Sequence, residues 1–405
     1  MMRINKFLTP LALAALLAAC SSEDELKTES IDMSYYYGNS DVEVKLSAGG
    51  RTTRASVENT DAALFTITGE DKLGIFMLAT NKKGVNATED DIDWAATGED
   101  QWSVWIDNDS ATATNDGAVT SINWAKTGQK YYYPIGNWYS YRFYGYYPRV
   151  EAVNHNNNQV SVDFTELDGT KDVIWGRSLG CNPAGTTDEQ CRYSAQYFRL
   201  SGFSQAYPSL DLDHKMMRIQ FYVQGLPDED AGEGHYYDTA NEMMVDTIEV
   251  INVPTTATLI VADREVDGNN GKISYNWTSN LANIGIRGDS LVTNPDGAFN
   301  KSESQIEGDR LKRIGQPMLL PVPDDDATAA GFTRYKVNVN LRNTSGEIFK
   351  SERPLDLVLP NETVFQHSKT YKVVLKIAGP KVVAIQATLA PWSDPVDAIQ
   401  DLIFN

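Results

Sequence analysis

The stretch Met217-Arg218-Ile219-Gln220-Phe221-Tyr222-Val223-Gln224 alternates apolar and more polar side chains along its length. Successive side chains of an extended chain point to opposite faces, so this alternation predicts a β-strand with one face against a core. The pattern recurs at Val42-x-Val44-x-Leu46-x-Ala48, Val337-x-Val339-x-Leu341, Tyr371-x-Val373-x-Leu375-x-Ile377 and Val383-x-Ile385-x-Ala387-x-Leu389. Turn-forming clusters such as Asp267-Gly268-Asn269-Asn270-Gly271 separate these strands, and no long window has helical periodicity. The sequence therefore predicts an all-β protein of half-buried antiparallel strands arranged in β-sandwiches.

The length of the chain limits the number of its domains, and its net charge limits the kinds of partner that it binds. The chain has 405 residues, with 55 acidic and 35 basic side chains and a formal net charge of −20. This charge excludes nucleic acid as a default partner, because phosphate-binding surfaces are basic. The length allows two or three domains. The alternation breaks at Tyr207-Pro208-Ser209, which predicts an N-terminal sandwich over residues 41–208 and a C-terminal sandwich over residues 209–405.

The first nineteen residues have the pattern of a cleaved signal peptide. Arg3 and Lys6 precede an apolar run from Phe7 to Ala19, which is shorter than the roughly 20 residues that span a bilayer. The sequence Leu17-Ala18-Ala19-Cys20 resembles the lipobox of bacterial lipoproteins. Acylation of Cys20, with palmitate among the acyl chains, would then anchor the protein to the membrane. An ordinary secretory signal that happens to end at a cysteine is the alternative.

Residues 20–40 form a predicted acidic linker behind the lipid anchor. Ser21-Ser22-Glu23-Asp24-Glu25 resembles the export signal of surface-exposed lipoproteins, or is a solvated spacer. Beyond a signal peptide the compartment is oxidising, so Cys181 and Cys191 could close a loop as a disulfide worth about 2–3 kcal/mol. Two buried free thiols are the alternative.

Enzyme motifs are nearly absent from the sequence. Residues 176–180 match G-x-S-x-G, but Asn182-Pro183 follows too soon for the helix that a nucleophile elbow requires. Asp324-Asp325-Asp326 lacks the spacing of a calcium loop and predicts a solvated turn. The histidines are isolated and are expected to be hydrogen-bonded structural residues: His155, His214, His235 and His367. No catalytic residue, metal site or cofactor is predicted.

The segment from Tyr131 to Pro148 is the densest feature of the chain, with ten aromatic residues among eighteen. It predicts a hairpin that turns at Ile135-Gly136-Asn137, with aromatic rings paired across its strands. Exposed rings would make a glycan-binding platform. Buried rings would fill the sandwich core, with tyrosine hydroxyls at its edge.

The same segment resembles the N-terminal domain of the fimbrillin (Mfa-like) family of type V pilus subunits. Further resemblances follow in order along the chain, at Thr53-Arg54-Ala55, Asp213 to Ile219, Asp246 to Val250 and the terminal hairpin from Lys369 to Trp392. Arg51 and the two cysteines depart from the family pattern. Together these motifs span nearly the whole chain.

The resemblance implies two tandem transthyretin-like antiparallel β-sandwich domains and structural work rather than catalysis. Such subunits are exported as lipoproteins to the surface of the outer membrane, cut after an arginine, and polymerised by donor-strand exchange into adhesive fimbriae. The implied partners are other fimbrial subunits, the outer membrane, and host or bacterial surface ligands. The alternatives are a surface glycan-binding lipoprotein, or a tip or anchor component that is not processed.

Arg51 and Arg54 are the candidate processing sites, since they lie in a flexible polar stretch directly after an alternating strand. The new amino terminus would be Thr52 or Ala55. Losing the strand that carries Val42 to Ala48 would open an apolar groove for a neighbouring subunit. Two ordinary loop arginines are the alternative.

Residues 396–405 are the candidate donor strand. As a strand they would extend about 33 Å, and one face would carry Val396, Ala398, Leu402 and Phe404. The competing interpretation is a short terminal helix with Val396, Ile399, Leu402 and Ile403 on one face, docked on its own domain.

Overall fold

The computed structural model describes residues 39–50, 71–82, 92–95, 101–115, 120–135, 139–178, 193–200, 207–226, 243–287, 290–292, 310–351, 353–359, 364–378 and 381–390. Within these ranges nearly all regular secondary structure is β-strand, which confirms the all-β prediction. No helix among them is long and apolar enough to cross a membrane.

The strands follow one another along the whole described chain. The first eleven are β1 (Asn39–Glu43), β2 (Leu46–Gly50), β3 (Leu73–Lys82), β4 (Val104–Asn115), β5 (Thr120–Trp124), β6 (Tyr132–Pro134), β7 (Tyr139–Tyr147), β8 (Asn154–His155), β9 (Gln159–Phe164), β10 (Ile174–Ser178) and β11 (Ser209–His214). The next six are β12 (Met217–Gly225), β13 (Met243–Pro254), β14 (Ala257–Asp263), β15 (Ile273–Tyr275), β16 (Leu281–Arg287) and β17 (Ser290–Val292). The remaining six are β18 (Lys312–Leu320), β19 (Lys336–Asn343), β20 (Ile348–Phe349), β21 (Leu355–Asp356), β22 (Thr370–Ala378) and β23 (Lys381–Ala390).

The helices are short and lie between strands, as the turn-rich sequence predicts. They are α1 (Ala195–Leu200), α2 (Asp325–Ala329) and single 3₁₀ turns at Gln101–Ser103 and Asp267–Asn269. The alternating stretches named above form strands, except that the stretch from Val42 to Ala48 is divided between β1 and β2. The terminal hairpin is present as β22 paired antiparallel with β23.

The first half of the chain builds a closed sheet. Its strand order is β10-β11-β2-β5-β4-β3-β7, and β7 pairs back onto β10. Strand β1 pairs with β6 in a separate two-stranded sheet. The interior carries fully buried side chains such as Ile75 and Leu210, so the closed sheet encloses a packed core.

The second half contains a four-stranded sheet, β18-β12-β22-β23, and a six-stranded sheet, β17-β16-β13-β19-β20, with β21 also on β19. Apolar side chains of both sheets, including Phe221, Val373 and Val339, are buried in one continuous core. A further sheet, β15-β14-β9-β8, combines strands from both halves.

Strand pairing crosses the predicted boundary at residues 208/209 in two places. Strand β11 follows that boundary but belongs to the closed sheet. Strand β14 pairs with β9, which lies almost a hundred residues earlier in the chain. The division into domains and the tandem transthyretin-like arrangement stay predictions.

Two expectations about the strands are corrected. The pairs β2–β11 and β12–β22 are parallel rather than antiparallel, which is possible because long connections separate the paired strands. Strand β12 is also not half-buried, since Gln220 and Tyr222 on its polar face are buried as well. That face is therefore covered.

Candidate assembly interface

Strands β1 and β2 alternate strictly between inward and outward side chains. Val42, Val44, Leu46 and Ala48 are 4%, 2%, 7% and 3% exposed. The residues between them are exposed or partly exposed. This confirms that the four apolar side chains face a core, although the stretch forms two strands that pair with different neighbours.

Strand β2 lies inside the closed sheet rather than at an edge. It pairs antiparallel with β5 and parallel with β11. The N–H of Ser47 donates to the carbonyl of Pro208 at 3.0 Å, and the N–H of Val44 donates to the carbonyl of Tyr131 at 2.8 Å. Removing β2 would therefore leave two strands with unpaired backbone groups, which is the template that another strand needs.

The groove under β2 is apolar. Leu46 lies opposite Ile122 of β5, and Ala48 lies opposite Leu210 of β11. Both facing residues are buried. Burial of the four inward side chains of β1 and β2 contributes about 5–8 kcal/mol, so an empty groove would be a strong site for an apolar strand.

Charged side chains hold the outward face of β1. Asp41 forms an ion pair with Arg199 of α1, and the hydrogen bond from Arg199 holds the pKa of Asp41 below its usual value. Glu43 Oε1 lies 3.3 Å from Lys130 Nζ. Such exposed pairs add little stability, but they align the strand against two separate elements.

A third outward contact places the Lys45 ammonium 5.5 Å from the centroid of the Tyr207 ring. Sequence reasoning missed Arg199, Lys130 and Tyr207, because they lie far from β1 in the chain and belong to no motif. The signal that was available is the alternating charge of the strand itself, which requires partners on its outward face.

The aromatic segment is part of the core. Partly exposed rings belong to Tyr131, Tyr132 and Tyr147. The other described rings are between 0% and 3% exposed, namely Tyr133, Tyr139, Tyr141, Phe143, Tyr144 and Tyr146. These buried rings cannot stack on a glycan. They fill the core, which is the second of the two predicted alternatives. Trp138 lies outside the described residues.

The segment is not a hairpin, which corrects the predicted pairing. Strand β6 pairs with β1, whereas β7 pairs with β3 and β10. Both edges of β7 are therefore occupied, and no edge is left for β6. Residues 136–138, where the turn was expected, lie outside the described residues.

Tyrosine hydroxyls within this core have internal partners. The Tyr146 hydroxyl donates to Asn108 Oδ1 at 2.8 Å and accepts the N–H of Val150 at 3.1 Å. Burial raises the pKa of Tyr146 to about 12. The hydroxyl is thus a neutral structural group at ordinary pH.

Ser178 of the G-x-S-x-G match is also structural. It ends strand β10 and is buried. Its Oγ accepts the N–H of Phe143 at 3.0 Å. The serine side chain thus joins two neighbouring strands of the closed sheet.

The described histidines all have partners within the fold, as expected of structural residues. Among the residues that the structure describes, no group of three or more His, Cys, Asp or Glu is placed to hold a metal ion. His155 Nε2 lies 3.2 Å from Asp107 Oδ1, His214 pairs with Asp172, and His367 Nδ1 lies 2.5 Å from the carbonyl oxygen of Lys215. His235 lies outside the described residues.

The acidic triplet is a helix start rather than a solvated turn. Asp324 caps α2, and its Oδ1 accepts the N–H of Ala327 at 2.9 Å and Trp277 Nε1–H at 3.1 Å. The expectation of a simple turn was wrong, because N-capping satisfies the first free N–H groups of a helix.

The remaining predicted site residues lie outside the described residues. They are the lipidation residue Cys20, the processing residues Arg51 and Arg54, the cysteines Cys181 and Cys191, and the donor-strand residues Val396, Ala398, Leu402 and Phe404. Their roles stay predictions. Strand β2 ends at Gly50, directly before the first processing candidate.

The fold and this interface define a β-protein in which an N-terminal strand is held between strands from distant parts of the chain. The fimbrillin-like family model matches residues 53–392. The chain therefore belongs to the fimbrillin-like family, which points to a fimbrial subunit of a cell-surface appendage.

Two solved structures illustrate the similarity. A fimbrial protein from Bacteroides vulgatus matches at 12% identity and a TM-score of 0.44, over 87% of this chain and 99% of that one. The fimbrial anchor protein Mfa2 from Porphyromonas gingivalis matches at 10% identity and a TM-score of 0.33, over 86% and 98%. The search of curated proteins found no match. At these scores the family match, rather than either structure, carries the assignment.

Proposed function

We propose that this protein is exported as a lipoprotein on Cys20, cut after Arg54 or Arg51, and polymerised by strand exchange into surface fimbriae that contribute to adhesion. The supporting observation is the place of β2. It is paired on both sides within the closed sheet, fills an apolar groove, and ends one residue before Arg51. Cutting there would separate β1 and β2 from the rest of the chain.

Cleavage controls when the groove becomes available. While β2 is covalently attached, its effective concentration at the groove is high, and a strand from another molecule competes poorly. After cleavage, the released strand can diffuse away and leave β5 and β11 as free edges. The groove can then accept a strand of a neighbouring subunit.

The donor in this proposal is residues 396–405 of the next subunit, with Val396, Ala398, Leu402 and Phe404 directed into the groove. Each subunit then gives a strand at one end and receives one at the other. Such a head-to-tail contact is heterologous and open-ended, so it generates a filament rather than a closed ring.

The lipid anchor has its own test. Cys20→Ser should abolish metabolic labelling of the protein with palmitate and leave an uncleaved or soluble precursor. Unchanged labelling of this variant would remove the lipoprotein part of the proposal.

Processing and assembly are tested on intact cells. The filament protein should begin at Ala55 or Thr52 when its amino terminus is sequenced. Arg51→Ala combined with Arg54→Ala should leave cells without filaments in electron micrographs, and each single variant identifies the arginine that is used. A different amino terminus, or filaments on cells with the double variant, would contradict the proposal.

The donor segment is tested by deleting residues 396–405, which retains β23. The truncated protein should fold and be cut after Arg54 or Arg51, but should not polymerise. Continued polymerisation would show that another strand fills the groove.

A further inference from the structure

The two middle strands of the sheet β18-β12-β22-β23 carry buried side chains on both faces. Ile219 and Phe221 of β12 face the core and are 0% exposed. Gln220 lies between these two residues and Tyr222 follows Phe221, so both side chains point to the opposite face of the sheet. They are 2% and 5% exposed, and Lys372 opposite Gln220 is 6% exposed. Polar side chains on this outer face are thus covered.

The outer face is positively charged. The strands β12, β18, β22 and β23 contain no Asp or Glu, although the chain as a whole has a net charge of −20. Register places four basic residues on this face of β12, β18 and β22, which we call the basic face: Arg218, Arg313, Lys372 and Lys376. An acid-free sheet in so acidic a chain indicates a surface matched to an acidic cover.

Two contacts within the basic face join its own strands. Arg218 Nε donates to Thr370 Oγ1 at 2.9 Å, and the Lys372 ammonium lies 4.6 Å from the centroid of the Tyr222 ring. Gln220 Nε2 donates to two backbone carbonyls of β18, but its Oε1 is buried without a hydrogen bond. Burial lowers the pKa of Lys372. An unpaired buried acceptor is costly, so a suitable cover also brings a hydrogen-bond donor to Gln220.

Residues 391–405 have the position and the chemistry for this cover. Strand β23 ends at Ala390, which lies opposite Thr370 and so beside the Arg218 end of the basic face. The segment carries Asp394, Asp397 and Asp401 and no Lys or Arg. Its apolar side chains have helical spacing at Val396, Ile399, Leu402 and Ile403.

The length also fits. Ten residues in a helix span about 15 Å. The distance across the sheet from β23 to β18 is three strand spacings, or about 14 Å. A helix over residues 396–405 could therefore cross all four strands.

We propose that residues 391–405 cover the basic face of their own subunit, with apolar side chains over Tyr222 and carboxylates beside the arginines and lysines. The docking concerns the isolated subunit and does not depend on the proposed function. If this proposal and the proposed function are both correct, the same segment binds at two places. One is the basic face of its own subunit, and the other is the groove of the next subunit. Assembly then requires its release from the first site.

The test measures how fast an amine-specific acylating reagent modifies Lys372 in the purified monomer, a chain of residues 20–405 with Cys20→Ser. Modified peptides are counted by mass spectrometry, and exposed Lys336 of β19 is the internal reference. Deleting residues 391–405 should raise the Lys372 rate at least about tenfold, because a covered group reacts only when its cover opens. The Lys336 rate should not change. An unchanged Lys372 rate in a folded deletion variant would overturn the proposal.

A full-length variant keeps the test decisive if the deletion variant does not fold. Asp394→Lys, Asp397→Lys and Asp401→Lys together should also raise the Lys372 rate, by about threefold or more, since like charges then face each other. The matched control is Asp228→Lys, Glu229→Lys and Asp230→Lys, the same charge change in an acidic segment that follows β12. A rise in the control without a rise in the tail variant would overturn the proposal. So would a Lys372 rate that increases on dilution of the unmodified protein, because the cover would then come from a second copy.

Discussion

Strands β2 and β23 lie close to the two ends of the described chain, and their sheets hold them differently. Strand β2 is paired on both sides, but its partners β5 and β11 come from distant parts of the sequence. Strand β23 is at the edge of its sheet and pairs along nearly its whole length with β22, its neighbour in the chain. A strand held by distant partners can be replaced from another molecule, whereas a long local hairpin stays with its own chain.

Removal of β2 should have the largest effect on the free energy of unfolding. A chain beginning at Ala55 should lose about 5–8 kcal/mol of unfolding free energy, because the apolar groove becomes exposed. Guanidinium titration of the monomer measures the loss. A chain beginning at Asn39 retains β1 and β2 and serves as the control, with an expected loss below about 1 kcal/mol. Equal stability of the two chains would mean that β2 is not a structural part of the closed sheet.

A pair of glycines sharpens the comparison within the closed sheet. A Cβ on Gly176 of β10 would lie 2.4 Å from the carbonyl oxygen of Asp211 in β11, whereas a Cβ on Gly49 of β2 meets nothing within 4 Å. Gly176→Ala should therefore cost about 2–3 kcal/mol, since backbone must move. Gly49→Ala should change the unfolding free energy by less than about 0.5 kcal/mol. Thermal and urea unfolding test both, and similar losses would show that the sheet is packed as tightly at β2 as at β10.

The smallest effect concerns the sheet that combines strands of both halves. Asp263 of β14 accepts hydrogen bonds from Gln159 Nε2 of β9 at 3.0 Å and from Asn269 Nδ2 at 2.8 Å. Burial tends to raise the pKa of Asp263, but these bonds and two backbone N–H groups outweigh it and hold the pKa below its usual value. Asp263→Asn should cost about 1 kcal/mol at pH 7.

The pH dependence of this variant has a defined sign. A carboxyl with a lowered folded-state pKa stabilises the fold above its unfolded pKa of about 4 and loses that contribution as pH falls through the folded value. The stability difference between the parent protein and Asp263→Asn should therefore shrink below about pH 4. Asp267→Asn, which removes the pair between the exposed Asp267 and the mostly buried Arg177, is the comparison variant and should cost about 0.5 kcal/mol. A difference that persists unchanged at low pH would mean that the ionised carboxylate is not the stabilising form.

The sequence by itself determined that the alternating segments are extended and that their apolar side chains face a core. Alternation is a local property of an extended chain, so the burial of Val42, Val44, Leu46 and Ala48 followed directly from their spacing. The sequence also argued against a nucleophile elbow at Ser178, because the residues after it cannot start a helix, whereas its hydrogen bond with Phe143 is known only from the structure. The family resemblance could be recognised from the order of motifs, and the family match over residues 53–392 confirms it.

Only the tertiary structure decided which strands are neighbours and what covers their second faces. No local pattern indicates that β2 and β11 are parallel, that β6 and β7 do not pair, or that Arg199 meets Asp41. The alternation of β12 indicated an exposed polar face, yet Gln220 and Tyr222 on that face are buried. Pairing and covering depend on segments that are far apart in the chain, and their proximity arises when the whole core forms.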